Sequence, residues 1–167
     1  MSPLSIILTS VIIYGEGGNL MNYEVIPFLS LNGNAAAAIS FYEKYLDAKV
    51  LFKKNYKEMK EMDPRFIYEE GQDEYITHSV LEIGASKVMI AEEEMDKSRP
   101  WQLGNSFSLC IQSKDKNEMN TFYESLVQHE KVTVLIPFEK NAFSPGYAII
   151  RDPFGVVIQL CVTVHDF

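Results

Sequence analysis

The stretch NAAAAISFYEKYLDAKV, residues 34–50, decides the reading of the chain because a second stretch repeats its pattern. Ala35, Ala38, Ile39, Tyr42 and Leu46 recur at intervals of three and four, the spacing that lines one face of an α-helix with apolar side chains. Asn34 stands where a helix N-cap is expected. In KDKNEMNTFYESLVQHEKV, residues 114–132, Met119, Phe122, Leu126 and Val127 make the same stripe, and Asp115 and Glu118 have the spacing of a capping box. Each predicted helix carries a Phe-Tyr pair, Phe41-Tyr42 and Phe122-Tyr123, and the pairs lie 81 residues apart, the size of a small supersecondary unit.

The surroundings of the two helices match as well. A strand-like run precedes each, VIPFLSLN at 25–32 and SFSLCIQS at 106–113. Three more follow each: VLFKKNYKEM, HSVLEIG and KVMIAEE in the first half, KVTVLIPF, GYAIIRD and VVIQLCVT in the second. Turn-forming residues at 141–146 and 152–155 separate the later strands. The chain therefore reads β-α-β-β-β twice. This is an α+β architecture of tandem modules, 23–95 and 104–164, whose curved mixed sheet carries its helices outside and leaves a concave cavity. The charged segment 55–76, broken by Asp63-Pro64 and Gly71, departs from that order and reads as a solvated loop or hairpin, with a lid over the cavity as the sharper alternative.

Composition narrows the partners. A net charge of −8 repels phosphate backbones and anionic lipid, which argues against nucleic-acid and membrane-surface partners. Cys110 and Cys161 lie in apolar strand-like runs with no CxxC spacing, so they read as two buried thiols of a cytoplasmic protein. The apolar run LSIILTSVIIY at 4–14 is too short to span a bilayer and lacks the basic flank of a signal peptide. Glu16-Gly17-Gly18 can be encoded by a purine-rich ribosome-binding sequence a few codons before Met21. Translation is therefore expected to start at Met21, with 1–20 a translated leader and 21–167 a single domain.

With the doubled module order, the two FY helices and the DPFG turn at 152–155, the chain resembles the vicinal-oxygen-chelate superfamily of glyoxalase I, bleomycin-resistance proteins and extradiol dioxygenases. The segments IPFLSLNGNAAAAISFYEKYLDA, ITHSVLEIGASKVMIAEE, GNSFSLCIQSKDKNEMNTFYESL and PGYAIIRDPFGVVIQL resemble its PhnB-like branch, whose members often carry a demethylubiquinone-methyltransferase label. Methyl transfer is not expected, because no glycine-rich strand-to-helix loop is present to hold S-adenosylmethionine.

In metal-using relatives the ligands come from the first and last strands of each module. That resemblance places the four positions near Pro27 or Phe28, at Ala91 beside Glu92, at Ser108, and at Gln159. Proline, phenylalanine and alanine cannot coordinate, and an amide at Gln159 is a neutral, weak ligand. No cofactor is therefore expected. A divalent metal held by Glu92, Gln159 and His78 is the alternative, since a one-residue register slip would turn Glu92 inward. The resemblance also implies a homodimer.

His78, in a polar island ahead of an apolar run, reads either as a half-buried histidine satisfied by a backbone carbonyl or as the polar anchor and proton carrier of the cavity, because an imidazole works both ways near neutral pH. His129 and His165 are expected to face solvent. Gln159 reads equally as an inward amide fixing a neighbour and as a ligand contact, with Ser108 beside it. Trp101 and Tyr147 read as packing residues or as aromatic walls for a flat organic ligand. Two functions follow: a binding module that captures a small organic molecule in a largely metal-free cavity, or a metal-dependent lyase, isomerase or dioxygenase.

Overall fold

A computed structural model of the chain describes residues 24–165. The expected leader at 1–20 lies outside the described residues. Two four-stranded mixed sheets follow one another along the chain. The first comprises β1 (Phe28–Ser30), β2 (Lys49–Asn55), β3 (Ile76–Ile83) and β4 (Ser86–Ala91), in the order β1-β4-β3-β2. The second comprises β5 (Ser108–Ser113), β6 (Thr133–Glu139), β7 (Tyr147–Arg151) and β8 (Val157–Val162), in the order β5-β8-β7-β6. In both, the first strand runs parallel to the last and the other pairs are antiparallel. The doubled β-α-β-β-β order is therefore present, with α1 (Ala35–Tyr45) and α3 (Lys116–Val127) in the expected places.

Side-chain alternation divides each sheet into two faces. Leu29, Leu81, Val88 and Ile90 point to the helix side in the first sheet, and Ala148, Ile150, Ile158 and Leu160 do so in the second; all are buried. They belong to one hydrophobic cluster with Ala38, Ile39 and Tyr42 of α1 and Met119 and Leu126 of α3. Burying a side chain such as Ile39 or Leu126 contributes roughly 1.5–3 kcal/mol, so this shared core accounts for the modules standing together. Phe41 also meets Phe154 across the modules, with ring centroids 5.9 Å apart.

Four expectations are corrected. The segment 55–76 is not simply a loop: Tyr56–Met62 form a helix, α2. Asn55 and Glu58 make a reciprocal capping box at its start, the Asn55 side chain accepting from the Glu58 N–H at 2.8 Å and the Glu58 carboxylate from the Asn55 N–H at 2.9 Å. Strand β2 consequently stops at Asn55. Asn34 makes no side-chain cap on α1; its amide instead donates to the Leu31 carbonyl. The two thiols are not buried, since Cys110 is exposed and Cys161 half-buried, because both lie on the face of the second sheet that no helix covers. His129 is half-buried rather than solvated, edge-on to the rings of Phe41 and Tyr45 at 5.3 and 5.5 Å. His165 is exposed.

At the β7–β8 turn, Gly155 has φ +90, a conformation that favours glycine. The turn is organised by Asp152, whose carboxylate accepts the N–H groups of Phe154 and Val156 at 2.9 and 2.8 Å. Its other oxygen accepts the Tyr42 hydroxyl at 2.7 Å, fastening α1 of the first module to the last turn of the second.

Candidate functional site

The faces turned away from the helices are the ones the shared core leaves uncovered. In the second sheet, Cys110 pairs with Gln159, Gln159 with Ile149, and Cys161 with Tyr147, so these residues share the open face with Ser108. Here the strand register assembles three of the residues singled out in the sequence. The Gln159 amide nitrogen donates to Ser108 Oγ at 2.6 Å, and its amide oxygen accepts the Tyr147 hydroxyl at 2.7 Å. The result is a polar chain across β5, β8 and β7, half-buried at every member. Ile149 and Ile136 lie beside it on the same face, and Phe143 stands edge-on to Tyr147 at 5.1 Å.

Two groups on this face have perturbed acidity. Burial pushes the Tyr147 hydroxyl up, with smaller contributions from Cys110 and Cys161. Burial likewise pushes the Cys110 thiol up, against a lowering contact with the Gln112 amide. Both shifts favour the neutral forms, so the face offers hydrogen bonds and apolar contact rather than a nucleophile.

The other sequence-predicted residues lie elsewhere. His78 is on β3, opposite Lys54, on the open face of the first sheet, with Phe52 at 5.8 Å. Trp101, in the segment between the sheets, donates its indole N–H to the Ser30 carbonyl of β1 at 3.1 Å. Glu92 is only 7% exposed. Its carboxylate accepts the N–H of Gly33 and, at 2.9 Å, that of Ala35, so it caps α1 from 57 residues away. Phe28 pairs with Met89, and Ala91 with Ser30.

The residues at the metal-ligand positions therefore do not fit a divalent ion. Pro27, Phe28 and Ala91 bring no donor. Glu92 is committed to the helix terminus, and the Gln159 amide is spanned by Ser108 and Tyr147. Among the described residues no group of three or more His, Cys, Asp or Glu side chains is placed to hold a metal.

Sequence reasoning missed two features. The Tyr42–Asp152 bond joins residues 110 apart, which no local pattern signals. The ring cluster of Tyr56, Phe66, Tyr68 and Tyr75 was open to view as four aromatics within a charged segment.

A doubled β-α-β-β-β chain defines a class, and comparison with known proteins gives that class its name. The Glyoxalase/Bleomycin resistance protein/Dioxygenase superfamily model matches residues 27–160, and the chain belongs to that superfamily. It is 24% identical over 139 residues to Protein YjdN of Escherichia coli (strain K12), covering 78% of this chain and 88% of that protein. Its fold resembles the PhnB protein from Bacillus cereus (18% identity, TM-score 0.64, covering 83% of this chain and 98% of that one). It also resembles protein PA1353 from Pseudomonas aeruginosa (19% identity, TM-score 0.67, 83% and 96%). A mutant of the fosfomycin resistance protein FosX from Listeria monocytogenes, solved with Mn(II) and 1S,2S-dihydroxypropylphosphonic acid, matches at 10% identity and TM-score 0.59, covering 87% of this chain and 95% of that one. At these identities the structural likeness establishes the fold. Among the described residues no helix is long and apolar enough to cross a membrane.

Proposed function

We propose that this superfamily member binds a small organic molecule on the open face of its second module, without a chelated metal. The observation that carries the reading is the Ser108–Gln159–Tyr147 chain. Few polar groups, held in fixed orientation among apolar side chains, are what a small-molecule site uses to align its ligand. The second N–H and the second oxygen lone pair of the Gln159 amide, with the remaining hydroxyl capacity of Ser108 and Tyr147, are the groups left to meet it. His78 and Trp101 belong to the first module's side and would contact a ligand only if it reached across both sheets.

A second copy of the chain is the expected partner. The outer strands β2 and β6 expose Leu51, Phe52, Val134, Leu135 and Ile136, apolar edge residues that a second copy would cover.

A ligand screen by thermal shift tests the reading on three proteins: wild type, Gln159→Leu and Tyr147→Phe. A planar, partly apolar ligand should raise the wild-type midpoint, with the shift lost in Gln159→Leu and reduced in Tyr147→Phe. A ligand whose shift survives both substitutions would place the site elsewhere.

A further inference from the structure

A separate cavity lies in the first module, where α2 and the segment after it cover the end of the first sheet. Its volume is about 510 Å3, the size of a small-molecule pocket. It shares no lining residue with the Ser108–Gln159–Tyr147 chain, so the two sites stand or fall independently.

Aromatic rings form one part of its wall. Tyr56 opens α2 and is the hub of the group: Phe66 and Tyr75 pack against it nearly edge-on, at 5.2 and 5.6 Å, and all three line the cavity. Gly33 faces them. A Cβ at that position would lie 3.0 Å from the Tyr75 hydroxyl, and its φ of +85 already disfavours any other residue. The small residue therefore lets the hydroxyl end of the Tyr75 ring approach the backbone closely.

Carboxylates form another part. Glu92, Glu93 and Glu94 all line the cavity, against Lys97 as the single basic residue of the lining. Glu92 is already shared between two backbone N–H groups, whereas Glu93 and Glu94 are exposed and keep their side-chain oxygens for something else. Their field reaches the rings. The Tyr56 hydroxyl is pushed above its ordinary value first by burial, then by Glu92, Tyr75, Glu93 and Glu94. A hard metal ion would want several oxygen ligands converging on one point, and among the described residues no group of three or more His, Cys, Asp or Glu side chains is so placed. Ring faces combined with excess negative charge are the surroundings in which an organic ammonium group is stabilised, through the ring quadrupole and through Coulomb attraction.

We propose that this cavity binds a small alkylated ammonium cation, its charged head between the Tyr56, Phe66 and Tyr75 rings and the Glu93 and Glu94 carboxylates. Calorimetric titration with choline, and with its neutral isostere 3,3-dimethyl-1-butanol, tests this. Choline should bind saturably and at least roughly tenfold more tightly than the alcohol, and Tyr56→Leu should weaken it by about tenfold, the range of one desolvated cation–π contact. Because Tyr56→Leu could unseat α2, the double variant Glu93→Gln, Glu94→Gln provides the second arm. It preserves shape, and choline affinity should fall severalfold while the thermal midpoint of the free protein holds. Magnesium chloride at equal ionic strength should not displace choline. Equal binding of choline and the alcohol, displacement by magnesium, affinity unchanged in the double variant, or no saturable choline binding up to about 100 mM would each overturn the assignment.

Discussion

The two modules repeat one another in strand order and differ in how they use the positions where metal-using relatives place ligands. In the first, Glu92 follows the last strand and is drawn back to the start of α1, where it accepts the N–H groups of Gly33 and Ala35. In the second, Gln159 sits within the last strand and spans Ser108 and Tyr147 on the open face. The helix of the second module does not need a distant cap, because Asp115 accepts the N–H groups of Asn117 and Glu118 locally. The difference teaches that a carboxylate near a metal position says little about metal until its hydrogen bonds are accounted for. One module has turned that region to holding its fold together, and the other carries it as a polar chain on its open face.

The comparison is broken most severely where the modules are joined. Asp152 is 3% exposed and Tyr42 fully buried. Asp152→Ala strips partners from the Tyr42 hydroxyl and from two turn N–H groups, and should cost about 3 kcal/mol of unfolding free energy in urea denaturation. Tyr42→Phe should cost about 1–2 kcal/mol, since the turn keeps its own hydrogen bonds.

The same pair has a pH signature. Burial pushes the Asp152 carboxyl above its ordinary value of 3.8, outweighing the hydrogen bonds from Tyr42, Val156, Phe154 and Gly155 that lower it. The folded protein therefore holds this proton to higher pH than the unfolded chain does. The resulting contribution is present in full below about 3.8 and declines as pH rises through the raised folded value, then stays level. Measured as wild type minus Asp152→Asn, the stability difference should fall over that window; a rise would contradict the burial account.

Removing the two helix caps sharpens the contrast between modules. Glu92→Ala should cost about 2 kcal/mol, because it leaves the buried Ala35 N–H without its partner at the helix start. Asp115→Ala, at an exposed start where water can substitute, should cost about 1 kcal/mol or less. Equal costs would mean that the first module's cap is not the buried, long-range device described above.

Much of this fold could be read from residue spacing, because α1 and α3 announce themselves by apolar periodicity and the β7–β8 turn by its Asp-Pro-Phe-Gly sequence. Helix α2 escaped that reading for a physical reason. It is seven residues long and buries none of them fully, so the spacing of Tyr56, Met59 and Met62 is too short a pattern to stand out, and only the Asn55–Glu58 pair marked its start. The site was legible residue by residue but not as a constellation. Ser108, Tyr147 and Gln159 lie up to 51 positions apart, and only the pairing of β5, β8 and β7 places them on one face. Glu92 was misleading as a spare metal ligand because its partners, Gly33 and Ala35, are three strands and two helices away in sequence.

The claim that matters most is that the second module presents Gln159 as a hydrogen-bonding amide rather than as part of a chelate. A Mn(II) titration followed by electron paramagnetic resonance tests it directly, with wild type and Gln159→Ala side by side. The account predicts that the free-ion signal grows in step with added Mn(II) in both proteins. One equivalent of Mn(II) removed from the signal by wild type and returned to it by Gln159→Ala would contradict the account.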